Sequence, residues 1–136
     1  MHRLALGHLY AFAGRYREVN ISKGGFTFPA ARFLPASMQQ FGRDWLHQAL
    51  PAGPHALLDR VGAVHGELLF IHSFREGNGR TARLLANLML ERQGHERLRW
   101  EMIDEAVFPR YVAAVQQSGL GNYAPMQMLI RSLYPE

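Results

Sequence analysis

The chain has 136 residues, of which 48% are hydrophobic, so it is long and apolar enough for one domain with a single core. It has no cysteine, which excludes a disulfide framework and a thiolate metal site. The net charge is +4, but the basic residues are scattered, which argues against nucleic-acid binding. No apolar run approaches the roughly 18 residues of a membrane span, and no signal-peptide pattern opens the chain. We therefore expect one cytoplasmic domain over residues 1–136 with no membrane contact.

Two elements are predicted in the first part of the chain. Apolar residues at helical spacing predict a helix over residues 2–12, which Gly14 ends. Residues 19–29 hold two alternating runs joined by Lys-Gly-Gly, a pattern typical of a β-hairpin with a glycine turn. We expect this hairpin to be the only β element.

The rest of the chain is predicted to be helical, because apolar stripes alternate with glycine and proline stop signals. In the segment that follows Trp100, Asp104 is a candidate cap and Pro109 marks a first turn or a kink. The predicted helices cover residues 37–49, 55–71, 78–92 and 100–117, and a last one that starts near Tyr123 and ends before Pro135. The sequence therefore predicts an all-α bundle with one small hairpin.

The loop between the second and third of these helices has the features of an anion site. Gly77 and Gly79 let the backbone turn sharply and approach a ligand closely. The next helix begins near Asn78, and the amides of its first turn lack intrahelical partners. Arg80 and Arg83 are three residues apart, hence on one face, and together they predict a clamp for a polyphosphate.

Two further side chains give this loop its chemistry. Glu76 would repel phosphates unless a divalent cation lay between them, so it predicts magnesium binding. His72, at the other end of the loop, is the candidate general base. A shared metal site with His65 is excluded, because two helical turns separate the pair by roughly 10.5 Å. The chain also lacks the Gly-x-x-x-x-Gly-Lys-Ser/Thr pattern of a P-loop.

Residues 72–83 resemble the signature of Fic domains, His-x-Phe-x-Asp/Glu-Gly-Asn-Gly-Arg-x-x-Arg, and match every specified position. Ser73 departs from the family, which usually has proline there. The resemblance covers nearly the whole chain, although the N-terminal portion looks shortened. It implies the Fic fold, a helical bundle with a small β-hairpin flap. It also implies a protein adenylyltransferase, which transfers AMP from ATP to a Ser, Thr or Tyr hydroxyl and releases pyrophosphate.

The resemblance also assigns roles to residues. His72 would take the proton from the target hydroxyl, and Glu76 would hold Mg²⁺ on the alpha and beta phosphates. Arg80 would pair with the beta phosphate and Arg83 with the gamma phosphate. Tyr111 falls where the family often lines the adenine pocket, although by pattern alone it is equally typical of a core aromatic. The nucleotide-binding set implied in this way is Lys23, Gly24, Gly25, Phe26, Glu76, Gly77, Asn78, Gly79, Arg80, Arg83 and Tyr111.

Partners and alternatives follow from the same resemblance. The flap over residues 19–29 would dock the target protein by adding one of its segments as a strand. The tail from Ser132 to Glu136 resembles an inhibitory helix of the family only in part, because Pro135 interrupts it. Inhibition would then come from a partner or from sequence outside this chain, and a separate antitoxin-like protein, as for small toxin-like Fic proteins, would fit.

Two alternative functions stay open. The first is a catalytically idle or inhibited nucleotide-binding or interaction module. The second is a phosphotransferase similar to the Doc toxins, which carry lysine where Gly79 stands. Because glycine leaves room for the outer phosphates, Gly79 favours the transfer of AMP.

Overall fold

The computed structural model describes residues 16–23, 26–72 and 77–135. These residues form a mainly helical domain, as the sequence predicts, and the predicted helix over 2–12 lies outside them. In chain order the elements are β1 (Ser22–Lys23), β2 (Phe26–Thr27), a 3₁₀ turn (Ala31–Phe33), α1 (Leu34–Phe41), a π-helical turn (Gly42–Leu46), α2 (Pro54–Ile71), α3 (Asn78–Arg92), a second 3₁₀ turn (Trp100–Met102), α4 (Phe108–Gly119) and α5 (Ala124–Leu133).

Helix α2 is the centre of the fold, and α3, α4 and α5 pack around it. It begins after Gly53 with Pro54 in its first turn, where proline's missing N–H costs nothing. Its residues are apolar around most of the circumference, which is typical of a helix buried on several sides. The core that forms around α2 includes Leu57, Val61, Val64, Leu68, Leu90, Met126, Leu129 and Ile130.

Two glycines of α2 let its neighbours approach closely. A Cβ atom on Gly66 would lie 2.1 Å from the Ser118 Oγ atom of α4. A Cβ atom on Gly62 would lie 2.7 Å from the Gln127 Cα atom of α5. Because real Cβ atoms do not approach other atoms so closely, both positions need glycine. At Gly62 it is the backbone of α5 that lies against α2, and at Gly66 it is the Ser118 side chain of α4.

Two predicted helices differ from the observed ones. The helix expected over 37–49 is α1 (Leu34–Phe41) followed by the π-helical turn (Gly42–Leu46), so it also ends before residue 49. It starts earlier than expected because Pro35 in its first turn is a start signal. The single helix expected over 100–117 is a 3₁₀ turn followed by α4. The Asp104 side chain accepts the amide hydrogens of Ala106 and Val107 at 3.1 and 3.0 Å, so it closes a turn before the helix begins.

The two strands pair antiparallel, with Ser22 opposite Thr27 and Lys23 opposite Phe26. The Phe28 amide donates to the Ile21 carbonyl oxygen at 3.0 Å and extends this pairing by one hydrogen bond. The predicted turn at residues 24 and 25 lies outside the described residues, so the flap stays a prediction. Among the helices that are described, none is both long and apolar enough to span a bilayer.

Candidate functional site

His72 ends helix α2 in a left-handed backbone conformation, with φ 52° and ψ 55°. Its amide donates to the Leu68 carbonyl oxygen at 3.1 Å, so the last turn of the helix is closed by the residue that carries the candidate base. It is the one non-glycine residue of the described part of the chain with a positive φ. This conformation costs a non-glycine residue about 1 kcal/mol, and such strain clusters at functional sites.

The His72 side chain contacts the hairpin. Its imidazole stacks on the Phe28 ring with centroids 4.0 Å apart and planes 17° from parallel. Phe28 directly follows β2, and His72 itself is only 8% exposed. The backbone carbonyl of His72 accepts a 2.6 Å hydrogen bond from the Arg17 Nε atom. The candidate base is therefore held between the end of α2 and the strand ends of the hairpin.

Helix α3 begins at the other end of the loop. Gly77 has φ 80°, a left-handed conformation that glycine adopts freely, and it occupies the N-cap position. The Thr81 amide donates to the Gly77 carbonyl oxygen at 2.9 Å, which is the first intrahelical hydrogen bond. Asn78 is buried directly behind this cap. The positive end of the α3 dipole thus opens toward the loop, which favours an anion there.

The two clamp arginines lie on this helix with exposed side chains, and Arg83 reaches back to its start. A Cβ atom on Gly79 would lie 3.6 Å from both terminal nitrogens of the Arg83 guanidinium. These distances are ordinary van der Waals contacts, so the Arg83 guanidinium lies directly over Gly79. Arg80 is three residues away on the same helical face. The first turn of α3 combines amide donors, a dipole and two cations, an arrangement that is suited to phosphate groups.

A second histidine lies behind the clamp, in the core. His65 is 1% exposed, and its Nδ1–H donates to the Ala82 carbonyl oxygen of α3 at 3.2 Å. Its Nε2 atom accepts a hydrogen bond from the Tyr111 hydroxyl of α4. Burial lowers the pKa of His65 to about 4, and the nearby charge of Arg83 lowers it further, against the hydrogen bond to Ala82. His65 is thus a neutral link between α2, α3 and α4.

Tyr111 is placed in this core network. It is 8% exposed, its hydroxyl donates to His65, and burial raises its pKa above the ordinary value. Its ring lies parallel to that of Phe108, with centroids 6.4 Å apart. Its contact with an adenine base stays a prediction.

Several predicted site residues are not described by the structure, and for others only the backbone is described. Residues 73–76, which include Glu76, and residues 24 and 25 are not among the described residues, and the structure gives backbone pairing for Lys23 and Phe26. Within the described ranges, no group of three His, Asp or Glu side chains could hold a metal ion. The magnesium ligand therefore stays a prediction.

Sequence reasoning missed Arg17 and the link made by His65. Arg17 contacts residues 55 positions away, and His65 contacts Tyr111 46 positions away. No local pattern predicts such contacts. The one available signal for His65 is its place in the middle of an apolar stripe, which indicates burial and hence a need for hydrogen-bond partners.

The chain resembles known proteins over most of its length. The sequence profile of the Fic/DOC family matches residues 1–90. The protein adenylyltransferase Fic of Nematostella vectensis is 40% identical over 95 residues, which are 69% of this chain and 22% of that protein. The protein adenylyltransferase fic-1 of Caenorhabditis elegans is 32% identical over 128 residues, which are 92% of this chain and 24% of that protein. The chain thus spans less than a quarter of the length of these curated relatives.

A solved structure shows the same fold. The BepC protein of Bartonella tribocorum, a VirB-translocated effector with bound AMPPNP, superposes with a TM-score of 0.68 at 19% sequence identity. The superposition covers 93% of this chain and 61% of that one. This likeness shows the fold, and the profile match over residues 1–90 assigns the family. The chain belongs to the Fic/DOC family.

Proposed function

We propose that this domain is a protein adenylyltransferase that uses ATP and magnesium. The observation that carries the proposal is the geometry of the two helix ends. Helix α2 ends in a strained histidine, four residues separate it from the Gly77 cap of α3, and the Arg83 guanidinium lies over Gly79. A base thus lies next to a site for phosphates. The names of the curated relatives and the AMPPNP in the BepC structure support the same activity.

In the proposed reaction the target hydroxyl attacks the alpha phosphorus of ATP in line. The hydroxyl proton passes to His72, the new bond joins the target oxygen to the alpha phosphorus, and the bond from that phosphorus to pyrophosphate breaks. Pyrophosphate leaves with the electron pair. Amides at the start of α3 and the Arg80 and Arg83 side chains stabilise the negative charge that develops on the phosphates.

Magnesium would supply charge neutralisation on the phosphates. Glu76 is the protein ligand that we propose for it, since a carboxylate oxygen suits this ion. The remaining ligands would be phosphate oxygens and water, as in most sites where magnesium is bound with a nucleotide.

The target would dock on the hairpin as an added strand, with pairing through backbone hydrogen bonds. Lys23, Gly24, Gly25 and Phe26 are the residues of the flap that we assign to the nucleotide side. The stacking of Phe28 on His72 supports this assignment, because it brings the hairpin into contact with the base.

The test is transfer of label from ATP to proteins in a cell lysate in the presence of magnesium. We expect label from alpha-labelled ATP and none from gamma-labelled ATP. Label from the gamma position alone would mean a phosphotransferase of the Doc type. If neither alpha-labelled nor gamma-labelled ATP labels protein, but ATP raises the melting temperature of the domain, it is an idle or inhibited nucleotide-binding module.

A further inference from the structure

Arg17 is a buried arginine whose guanidinium hydrogen-bonds only to backbone carbonyl groups in the described structure. It is 4% exposed. Its Nε atom donates to the His72 carbonyl at 2.6 Å, and one terminal nitrogen donates to Val19 at 2.9 Å. The other terminal nitrogen donates to Pro29 at 2.5 Å and to Ile71 at 3.4 Å. The salt bridges found among the described residues join other arginines to acids, so these carbonyl oxygens solvate the charge.

The four acceptors belong to two parts of the fold. Ile71 and His72 are the C-terminal end of α2, where carbonyl groups lack intrahelical donors and the helix dipole is negative. Val19 lies before β1 and Pro29 lies after β2, so they are the two stems of the hairpin. One side chain therefore joins both stems of the hairpin to the end of the central helix.

The backbone pairing of β1 with β2 is short, so the hairpin needs the further hydrogen bonds that Arg17 makes. Its last backbone hydrogen bond is donated by Phe28 to Ile21. Beyond Phe28, two side chains hold the stems together. The Asn20 Oδ1 atom accepts the Ala31 amide hydrogen at 2.8 Å, and Arg17 donates to Val19 and Pro29. A two-stranded hairpin is marginally stable alone, so these hydrogen bonds help to hold it in its position.

We propose that Arg17 is a positioning residue for the adenylyl transfer proposed above, and the inference rests on that function. Its guanidinium fixes the end of α2, and with it His72, against the hairpin on which the target would dock. It contacts the His72 backbone and acts through it. A misplacement of about 1 Å can lower the rate of an enzyme on the order of 100-fold, so a group with this role affects turnover strongly.

Arginine suits this position better than lysine. The guanidinium carries five N–H donors in a rigid plane, which matches acceptors on several sides at once. A lysine ammonium has three donors on one atom and cannot reach Val19, Pro29 and His72 together. Burial lowers the pKa of the Arg17 guanidinium from its ordinary value, but arginine keeps its charge in proteins.

The first experiment measures amide hydrogen exchange without nucleotide in the parent protein and in Arg17→Lys. We expect the Phe28 and His72 amides to exchange at least about tenfold faster in the variant, while the Leu129 amide of α5 stays unchanged. The control is Arg99→Lys, since Arg99 is exposed and reaches a carbonyl only at 3.5 Å. An equal increase at all three amides would mean general destabilisation and would overturn the proposal, as would no change at Phe28 and His72.

The second experiment measures AMP transfer at matched folded fractions. We expect Arg17→Lys to lower kcat on the order of 100-fold with little change in the KM for ATP, because the phosphate clamp on α3 is not touched. Methylguanidinium added to Arg17→Ala should restore part of kcat. An unchanged kcat in Arg17→Lys would overturn the proposal. If the parent transfers no AMP, the proposed function fails, and the exchange data still decide whether Arg17 fixes His72 and the hairpin.

Discussion

Two histidines lie seven residues apart on α2, and the structure gives them different environments, although both are buried. His65, in the interior of the helix, has both ring nitrogens hydrogen-bonded within the core. His72, at the end of the helix, has a left-handed backbone and stacks on Phe28 of the hairpin. Position along the helix, and not residue type, therefore separates a structural histidine from a candidate base.

The two positions also serve different halves of the proposed site. His65 binds the Ala82 carbonyl, one residue before Arg83, and so fixes the start of α3 that carries the clamp. His72 is fixed by Arg17 and contacts the hairpin where the target would dock. In the proposed function, the interior of α2 would orient the nucleotide side, and its end would orient the target side.

The free energy of unfolding should depend strongly on pH because of His65. Its pKa falls from the ordinary 6.5 to about 4 on folding, so the unfolded chain takes up a proton between these values and the folded protein does not. Stability is therefore full above about pH 6.5 and falls as the pH drops toward 4, by up to about 3 kcal/mol. Urea unfolding of the parent at several pH values measures this loss.

The variant His65→Gln should lose most of this pH dependence, because glutamine does not titrate. The matched control is His47→Gln, since His47 is exposed and its replacement should leave the slope unchanged. The same slope in the parent and in His65→Gln would contradict a buried neutral His65 and would remove the contrast with His72.

The next effect tests how tightly the interior of α2 is packed. A Cβ atom on Gly66 would lie 2.1 Å from Ser118 Oγ and 2.8 Å from Ser118 Cβ. We expect Gly66→Ala to lower the free energy of unfolding by about 2 kcal/mol, because α4 must move. Gly42→Ala is the control, since the nearest atom to its Cβ is His47 Nε2 at 3.9 Å. Equal stability of both variants would mean that α2 and α4 are packed less closely than described.

The smallest effect concerns the clamp that His65 supports. We expect Arg83→Ala to weaken ATP binding about tenfold, or 1.4 kcal/mol, and to change AMP binding little, because Arg83 is assigned to the gamma phosphate. Titration calorimetry with both nucleotides measures the two affinities. Arg92→Ala, an exposed arginine at the far end of α3, is the control. Equal affinity of the parent for ATP and AMP would count against the roles of both Arg80 and Arg83.

The sequence predicts much of the helical framework, because local signals mark the helix ends. The predicted helix over 78–92 coincides with α3, and the one over 55–71 differs from α2 by one residue. Gly53 and Pro54 mark the start of α2, and the glycines of the loop mark the start of α3. The predicted start of α1 is wrong, because apolar spacing alone does not contain the start signal that Pro35 gives in the first turn.

The sequence does not predict the contacts that organise the site. Arg17 and His72 are separated by 55 residues, and His65 and Tyr111 by 46. Such pairs depend on how α2, α4 and the hairpin pack in space, and no spacing along the chain encodes that packing. For the same reason, the pattern could not distinguish a core role for Tyr111 from a role at the nucleotide.

One labelling experiment that compares the two histidines tests directly whether His72, and not His65, is the general base. The parent, His72→Ala and His65→Gln are incubated at equal folded concentration with alpha-labelled ATP, magnesium and lysate. We expect the parent to label protein and His65→Gln to retain measurable labelling. His72→Ala should bind ATP and lose labelling by about 10² to 10⁴-fold, the usual contribution of a general base. Undiminished labelling by His72→Ala would contradict the account.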